Sequence, residues 1–196
     1  MRVIRAAHGV LVGVAPSARG TREDVRATGH FMLASLVAEL LGADARDVVI
    51  DARCPRCGLQ HGRPRVMAPA AAVGIGVSVS HTEGTTVVAA ARSRAVGVDA
   101  EPAHLDAERA AAIHEIAGAA PDGAAPVRHW TRVEAVLKAD GRGLKVDPRG
   151  ILFTAIGGSP LSARVADRPD EYALLDVDAA GALCVTVAVG PAFTVG

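Results

Sequence analysis

Three strand-length segments follow one another between Gly76 and Pro102 with no room for a helix between them: Gly76–His81, Thr85–Ala91 and Val96–Glu101. Gly84 supplies the first break, Arg92-Ser93-Arg94 the second, and Pro102 closes the run. Apolar and polar residues alternate from Gly76 to His81, as they do along a half-buried strand. A chain with this centre must build a sheet, and its helices must come from the flanks.

Two flanking stretches have helical spacing. Thr21 with Asp24 opens the first; Phe31, Leu33, Leu36, Val37, Leu40 and Leu41 give its apolar stripe, and Gly42 ends it. The second runs from Trp130 to Leu144. Thr131 suits an N-cap and Gly141 a stop, and Val133, Val136, Leu137 and Leu144 form the stripe. Residues 2–14 suit one early strand, and Val48-Val49-Ile50 a short one. Ala-rich Pro102–Arg128 suits a short helix and a loop. Ile151–Thr154, Ala163–Val165, Tyr172–Val177 and Leu183–Val189 read as strands, with Ala179-Ala180-Gly181 turning the last hairpin. Strands with a helix, then strands with a helix again, predict an α+β chain of two halves, 1–95 and 96–196.

Composition narrows the function. Half of the 196 residues are hydrophobic but aromatics are only 3 %, so the core must be Val, Ala, Leu and Ile. Zero formal net charge argues against general binding to nucleic acid or membrane surfaces. No apolar run is long enough to span a bilayer. The apolar stretch Gly9–Ala15 after Met1-Arg2 is short and follows Arg5 and His8, so a first strand is a better reading than a leader. Three sparse cysteines, Cys54, Cys57 and Cys184, suit a reducing cytoplasm.

Several stretches carry chemistry. In Cys54-Pro55-Arg56-Cys57-Gly58-Leu59-Gln60-His61-Gly62-Arg63-Pro64, a Cys-x-x-Cys pair with a following histidine supplies part of a zinc ligand set. A tetrahedral site needs four ligands and no second close pair follows, so a hairpin bent at Gly58 and Gly62 is the favoured reading. Arg63, between a glycine and a proline, suits a phosphate fork. Ser80 and His81 fall at a strand end, where chemistry often sits. Arg22 and Arg26 lie near a helix start suited to anions, although a solvated face is the default for such charges. Asp99 and Glu101, two apart on a strand, project from one face while Val98 and Ala100 face the other. Adjacent carboxylates repel, and a hard cation such as magnesium relieves them. Glu134 and Lys138, four apart, share a helix face; as Thr131-x-x-Glu134 and a surface pair they also read as a capping box and an ordinary ion pair.

Taken together, Gly62-Arg63-Pro64, Val79-Ser80-His81-Thr82, Gly97-Val98-Asp99-Ala100-Glu101 and Trp130-Thr131-x-x-Glu134-Ala135-x-x-Lys138-Ala139-x-Gly141-x-Gly143-Leu144 resemble the Sfp-type 4′-phosphopantetheinyl transferases. They come in that family's order, and the last is the most specific. The resemblance implies two pseudo-symmetric α/β lobes with coenzyme A in a cleft between them. It implies magnesium-dependent transfer of the phosphopantetheine arm to a serine of an acyl or peptidyl carrier protein, leaving adenosine 3′,5′-bisphosphate. By position it makes Asp99, Glu101 and Glu134 magnesium ligands, and sets Arg63, Ser80, His81 and Lys138 against the coenzyme. Glu134, Lys138 and His81 become the catalytic candidates. A two-lobed chain that completes its own cleft is expected to be a monomer. Val133 stands where the family often has lysine, and the segment 102–128 is short of aromatics. Those departures keep a second reading open: a non-catalytic scaffold that binds carrier protein or coenzyme A.

Overall fold

The computed structural model describes residues 1–155, 161–179 and 181–192. The fold is α+β, and the chain divides into two compact units inside one strand: Met1–Val96 with Ala192, and Gly97–Pro191.

In the first unit, β1 (Arg2–Ala6) and β2 (Val10–Pro16) pair antiparallel, Arg2 opposite Val14. One continuous strand was expected over 2–14. Instead His8 (φ 59°) and Gly9 (φ 70°) are left-handed, which a strand cannot continue through, and the segment folds back as a hairpin. Helix α1 (Arg22–Leu41) begins as predicted. Thr21 Oγ1 accepts from the Asp24 amide, Asp24 Oδ2 accepts from the Thr21 amide, and left-handed Gly42 ends the helix. Leu33, Leu36 and Val37 are fully buried against Leu11, Val77, Val88 and Ala90. Phe31 leaves the expected stripe and is 70 % exposed. Two residues before Leu33 is a rotation of about 200°, which points Phe31 to the far side of the helix.

A two-stranded antiparallel ribbon follows, β3 (Val49–Asp51) with β4 (Arg65–Ala68), so the cysteine-bearing loop is the hairpin connection it was predicted to be. Strands β5 (Ile75–Thr82) and β6 (Thr85–Arg92) complete a four-stranded sheet of order β1-β2-β6-β5, with Gly84 (φ 66°) at their turn.

Strand β7 (Arg94–Pro102) carries the chain into the second unit. There, α2 (Ala107–Ala117) and α3 (Pro126–Asp140) precede β8 (Ile151–Ala155), β9 (Leu161–Val165), β10 (Glu171–Val177) and β11 (Leu183–Ala192). The five-stranded sheet has the order β7-β11-β10-β9-β8. Of the expected Ala179-Ala180-Gly181 turn, Ala180 lies outside the described residues; β10 and β11 do pair antiparallel.

Helix α3 starts six residues earlier than a cap at Thr131 implies, with Ala125 at the N-cap. Pro126 occupies its first position, where the missing N–H costs nothing and φ is already helical. Thr131 is therefore interior, not a cap, and there is no capping box with Glu134. Its buried hydroxyl donates to the Arg128 carbonyl and lies 3.1 Å from Thr186 Oγ1. Val133, Val136 and Leu137 are buried as expected, in a core with Val165, Tyr172, Leu174 and Ala188 that Trp130 packs against. Leu144 is 72 % exposed, because left-handed Gly141 stops the helix before helical spacing reaches it.

Gly97 fixes how closely α3 approaches β7. A Cβ built on Gly97 would lie 2.0 Å from the Ala135 carbonyl oxygen and 2.5 Å from the Ala139 amide nitrogen. Only a residue without a side chain admits that contact. Gly97→Ala should cost about 3 kcal/mol or more by overpacking, whereas Gly84→Ala, in open space but left-handed, should cost about 1 kcal/mol. Denaturant unfolding of both variants checks this; equal losses would refute the packing account.

Candidate functional site

Asp99, Glu101, Glu134 and Lys138 come together in the second unit. Gly97, Asp99 and Glu101 are alternate residues of β7 and share the face over which α3 lies. One turn along α3 from Glu134, Lys138 Nζ donates to Asp99 Oδ1 at 2.7 Å and to the Val98 carbonyl at 3.1 Å. The Asp99 side chain is 7 % exposed and Lys138 29 %. Removing one partner of a buried pair like this costs about 3–5 kcal/mol, because the other charge is left behind. Lys138 is thus part of the fold as well as of any chemistry.

The remaining carboxyls are coupled to this pair. Burial pushes Glu134 above the usual carboxylate range; Lys138 opposes the rise, while Asp99 and Glu101 add to it. Burial likewise raises Glu101, against the pull of Arg109, whose Nη2 donates to Glu101 Oε2 at 2.8 Å. The charges of these carboxyls act on one another, while Lys138 pairs with Asp99 and Arg109 with Glu101. Among the described residues, the group whose ligand atoms all fall within 4.8 Å of each other is Cys54, Cys57 and His61, not these acids.

In the first unit, a cavity of about 430 Å³ is lined by Thr21, Arg22 and Arg26 of the α1 start, by His30, Gln60 and Gly62, and by His81. The α1 start presents unpaired amides and positive partial charge, which favours anions. Gly29 makes room for the His81 ring: a Cβ there would meet His81 Cε1 at 3.1 Å. His81 Nδ1 lies 3.1 Å from Thr86 Oγ1, which in turn lies 2.8 Å from Ser17 Oγ, so the ring is oriented from behind. Burial lowers the His30 pKa, favouring the neutral ring. The structure therefore brings Arg22 and Arg26 to one cavity with His81. Ser80 is buried, Arg63 is exposed, and neither lines the cavity.

No protein-family model matches this chain, and no curated protein matches it.

Three residues escaped the sequence reading. Gln60 and His30 lie among turn and helix residues with no distinguishing pattern. Arg109 reaches Glu101 from the first turn of α2, a pairing that no helical or strand period encodes. Gly29 was not singled out either, although a lone glycine inside an apolar helical stretch is a signal for close packing.

The raised Glu134 carboxyl has a pH consequence. A pKa above the unfolded value means that the folded chain binds this proton more tightly, so stability is fullest at acid pH and is lost as pH rises through the folded value. Glu134→Gln removes that loss. The variant should be more stable than its parent at neutral pH, with the advantage fading toward acid pH. Chemical denaturation across pH checks this; a difference that does not vary with pH would refute it.

Proposed function

We propose that this protein transfers the 4′-phosphopantetheine arm of coenzyme A to a serine of an apo carrier protein. The observation that carries the reading is the seating of α3 on Gly97, which joins the two most informative motifs into one cluster of Asp99, Glu101, Glu134 and Lys138. The basic-lined cavity of the first unit supports it independently, since Arg22, Arg26 and His81 are the groups a nucleotide phosphate needs.

The donor set fits magnesium in kind: hard carboxylate oxygens, with the charge of Asp99 raising the pKa of both Glu101 and Glu134, that gain from a shared cation. Asp99, Glu101 and Glu134 would hold it, with Glu101 giving up Arg109. Bound there, magnesium supplies positive charge to the oxygens of the coenzyme's pyrophosphate. The protein's own groups do the rest. The carrier serine oxygen bonds to the phosphorus of the phosphopantetheine arm, the bond from that phosphorus to the bridging pyrophosphate oxygen breaks, and adenosine 3′,5′-bisphosphate departs. Glu134, which stands in the same cluster, takes the serine proton. Lys138, anchored on the Val98 carbonyl and Asp99, offsets the charge growing on the leaving oxygen.

One observation favours the non-catalytic scaffold as a second reading. Lys138 on Asp99 and Arg109 on Glu101 balance the acids without any metal. Turnover separates the two. With coenzyme A and magnesium, an apo carrier should gain the phosphopantetheine mass. Glu134→Gln should lower the rate by about a hundredfold or more while coenzyme A binding, measured by calorimetry, stays near the parent's. A broad carrier panel left unmodified, while a known transferase modifies it, would end the enzymatic reading. Arg26→Ala should weaken coenzyme A binding by about tenfold, the value of one charge-assisted contact.

A further inference from the structure

The loop between β3 and β4 does more than reverse the chain. Cys54, Cys57 and His61 bring two sulfurs and an imidazole nitrogen within 4.8 Å of one another. Cys57 Sγ and His61 Nε2 are 2.9 Å apart. The backbone is wound to hold them so. The Cys54 amide donates to the Leu59 carbonyl and the Gly58 amide to the Cys54 carbonyl, each at 2.8 Å, and Gly58 is left-handed at φ 74°. The amides of Arg56 and Cys57 hydrogen-bond to the Cys54 sulfur. The base of the loop is tied as well: Gln60 Oε1 accepts from the Ala52 amide at 2.9 Å, Gln60 Nε2 donates to Asp51 Oδ1 at 3.0 Å, and the Gly62 amide donates to the Ala52 carbonyl at 2.6 Å.

We propose that Cys54, Cys57 and His61 form a binding site for one thiophilic divalent ion of the zinc class. Two thiolates and an imidazole suit zinc and exclude magnesium or calcium, which demand oxygen donors. Among the described residues no fourth Cys, His, Asp or Glu atom joins the cluster, so water or another small ligand fills the fourth corner. Binding releases the two thiol protons and changes no oxidation state. Tetrahedral ligation places sulfur and nitrogen about 3.5 Å apart, so the Cys57–His61 contact needs to open by only a fraction of an ångström. His61 also lines the 430 Å³ cavity. The ion would thus stiffen the cavity wall that carries Gln60 and Gly62.

The site is tested on the full chain, produced without a metal-binding tag and kept reduced. Elemental analysis after dialysis against a competing chelator should find one zinc per chain. Cobalt in its place should give a thiolate-to-cobalt charge-transfer band and the visible bands of a tetrahedral ion. Cys57→Ser and His61→Ala should each lower zinc affinity by about tenfold or more, while Cys184→Ser should not change it. A substoichiometric metal content, a cobalt spectrum lacking the thiolate band, or a Cys57→Ser chain that binds zinc like its parent would overturn the proposal. The cobalt spectrum of the parent chain stands even if a variant misfolds. None of these readouts involves turnover, so a failure of the transferase reading leaves the metal site unaffected.

Discussion

The contact of helix α3 with Gly97 is the constraint on which the second unit depends. Backbone meets backbone there, with the Ala135 carbonyl and the Ala139 amide where a side chain would otherwise stand. The distance this sets is short enough for Lys138 to reach across to Asp99 and the Val98 carbonyl. The same approach half-buries Glu134 and raises its pKa, because desolvation outweighs the nearby ammonium. Packing and electrostatics in this unit are thus consequences of one missing methyl group.

The two units hold contrasting donor chemistry. The second gathers carboxylates, which are hard and strongly hydrated, beside Lys138 and Arg109. The first gathers two thiols and an imidazole on a knuckled loop, beside a cavity whose other walls bear arginine and histidine. Neither donor set suits the ion that fits the other. Opposite polarities are likewise kept in different units: acids cluster around Lys138 and Arg109, while the cavity offers an α-helix start to anions.

Much of the fold was legible because its signals were local. Thr21, Asp24 and Gly42 bounded α1 correctly, since capping involves only residues within one turn. The strands β5, β6 and β7 announced themselves by alternation and by the turn residues between them. The start of α3 was misread because Thr131-x-x-Glu134 has the form of a capping box, and a proline five residues earlier overrode it. The hairpin at the N-terminus was missed because His8 takes a left-handed conformation that its identity does not demand. At the site, the acids and Lys138 were readable from spacing along one strand and one helix. Arg109 was not, because its partner Glu101 is reached through tertiary packing alone. The convergence of Cys54, Cys57 and His61 was only half legible: the residues were plain, but their approach depends on how the loop winds.

A core built almost without aromatics leaves the chain with a single tryptophan and a single tyrosine. Both Trp130 and Tyr172 belong to the apolar cluster under α3, and Met1–Val96 contains neither. Intrinsic ultraviolet emission is therefore a private signal of the unit that holds the acidic cluster. Loosening of the helix that bears Glu134 and Lys138 would alter that emission directly, with no label attached, whereas melting of the cysteine loop would have to be followed by another kind of light.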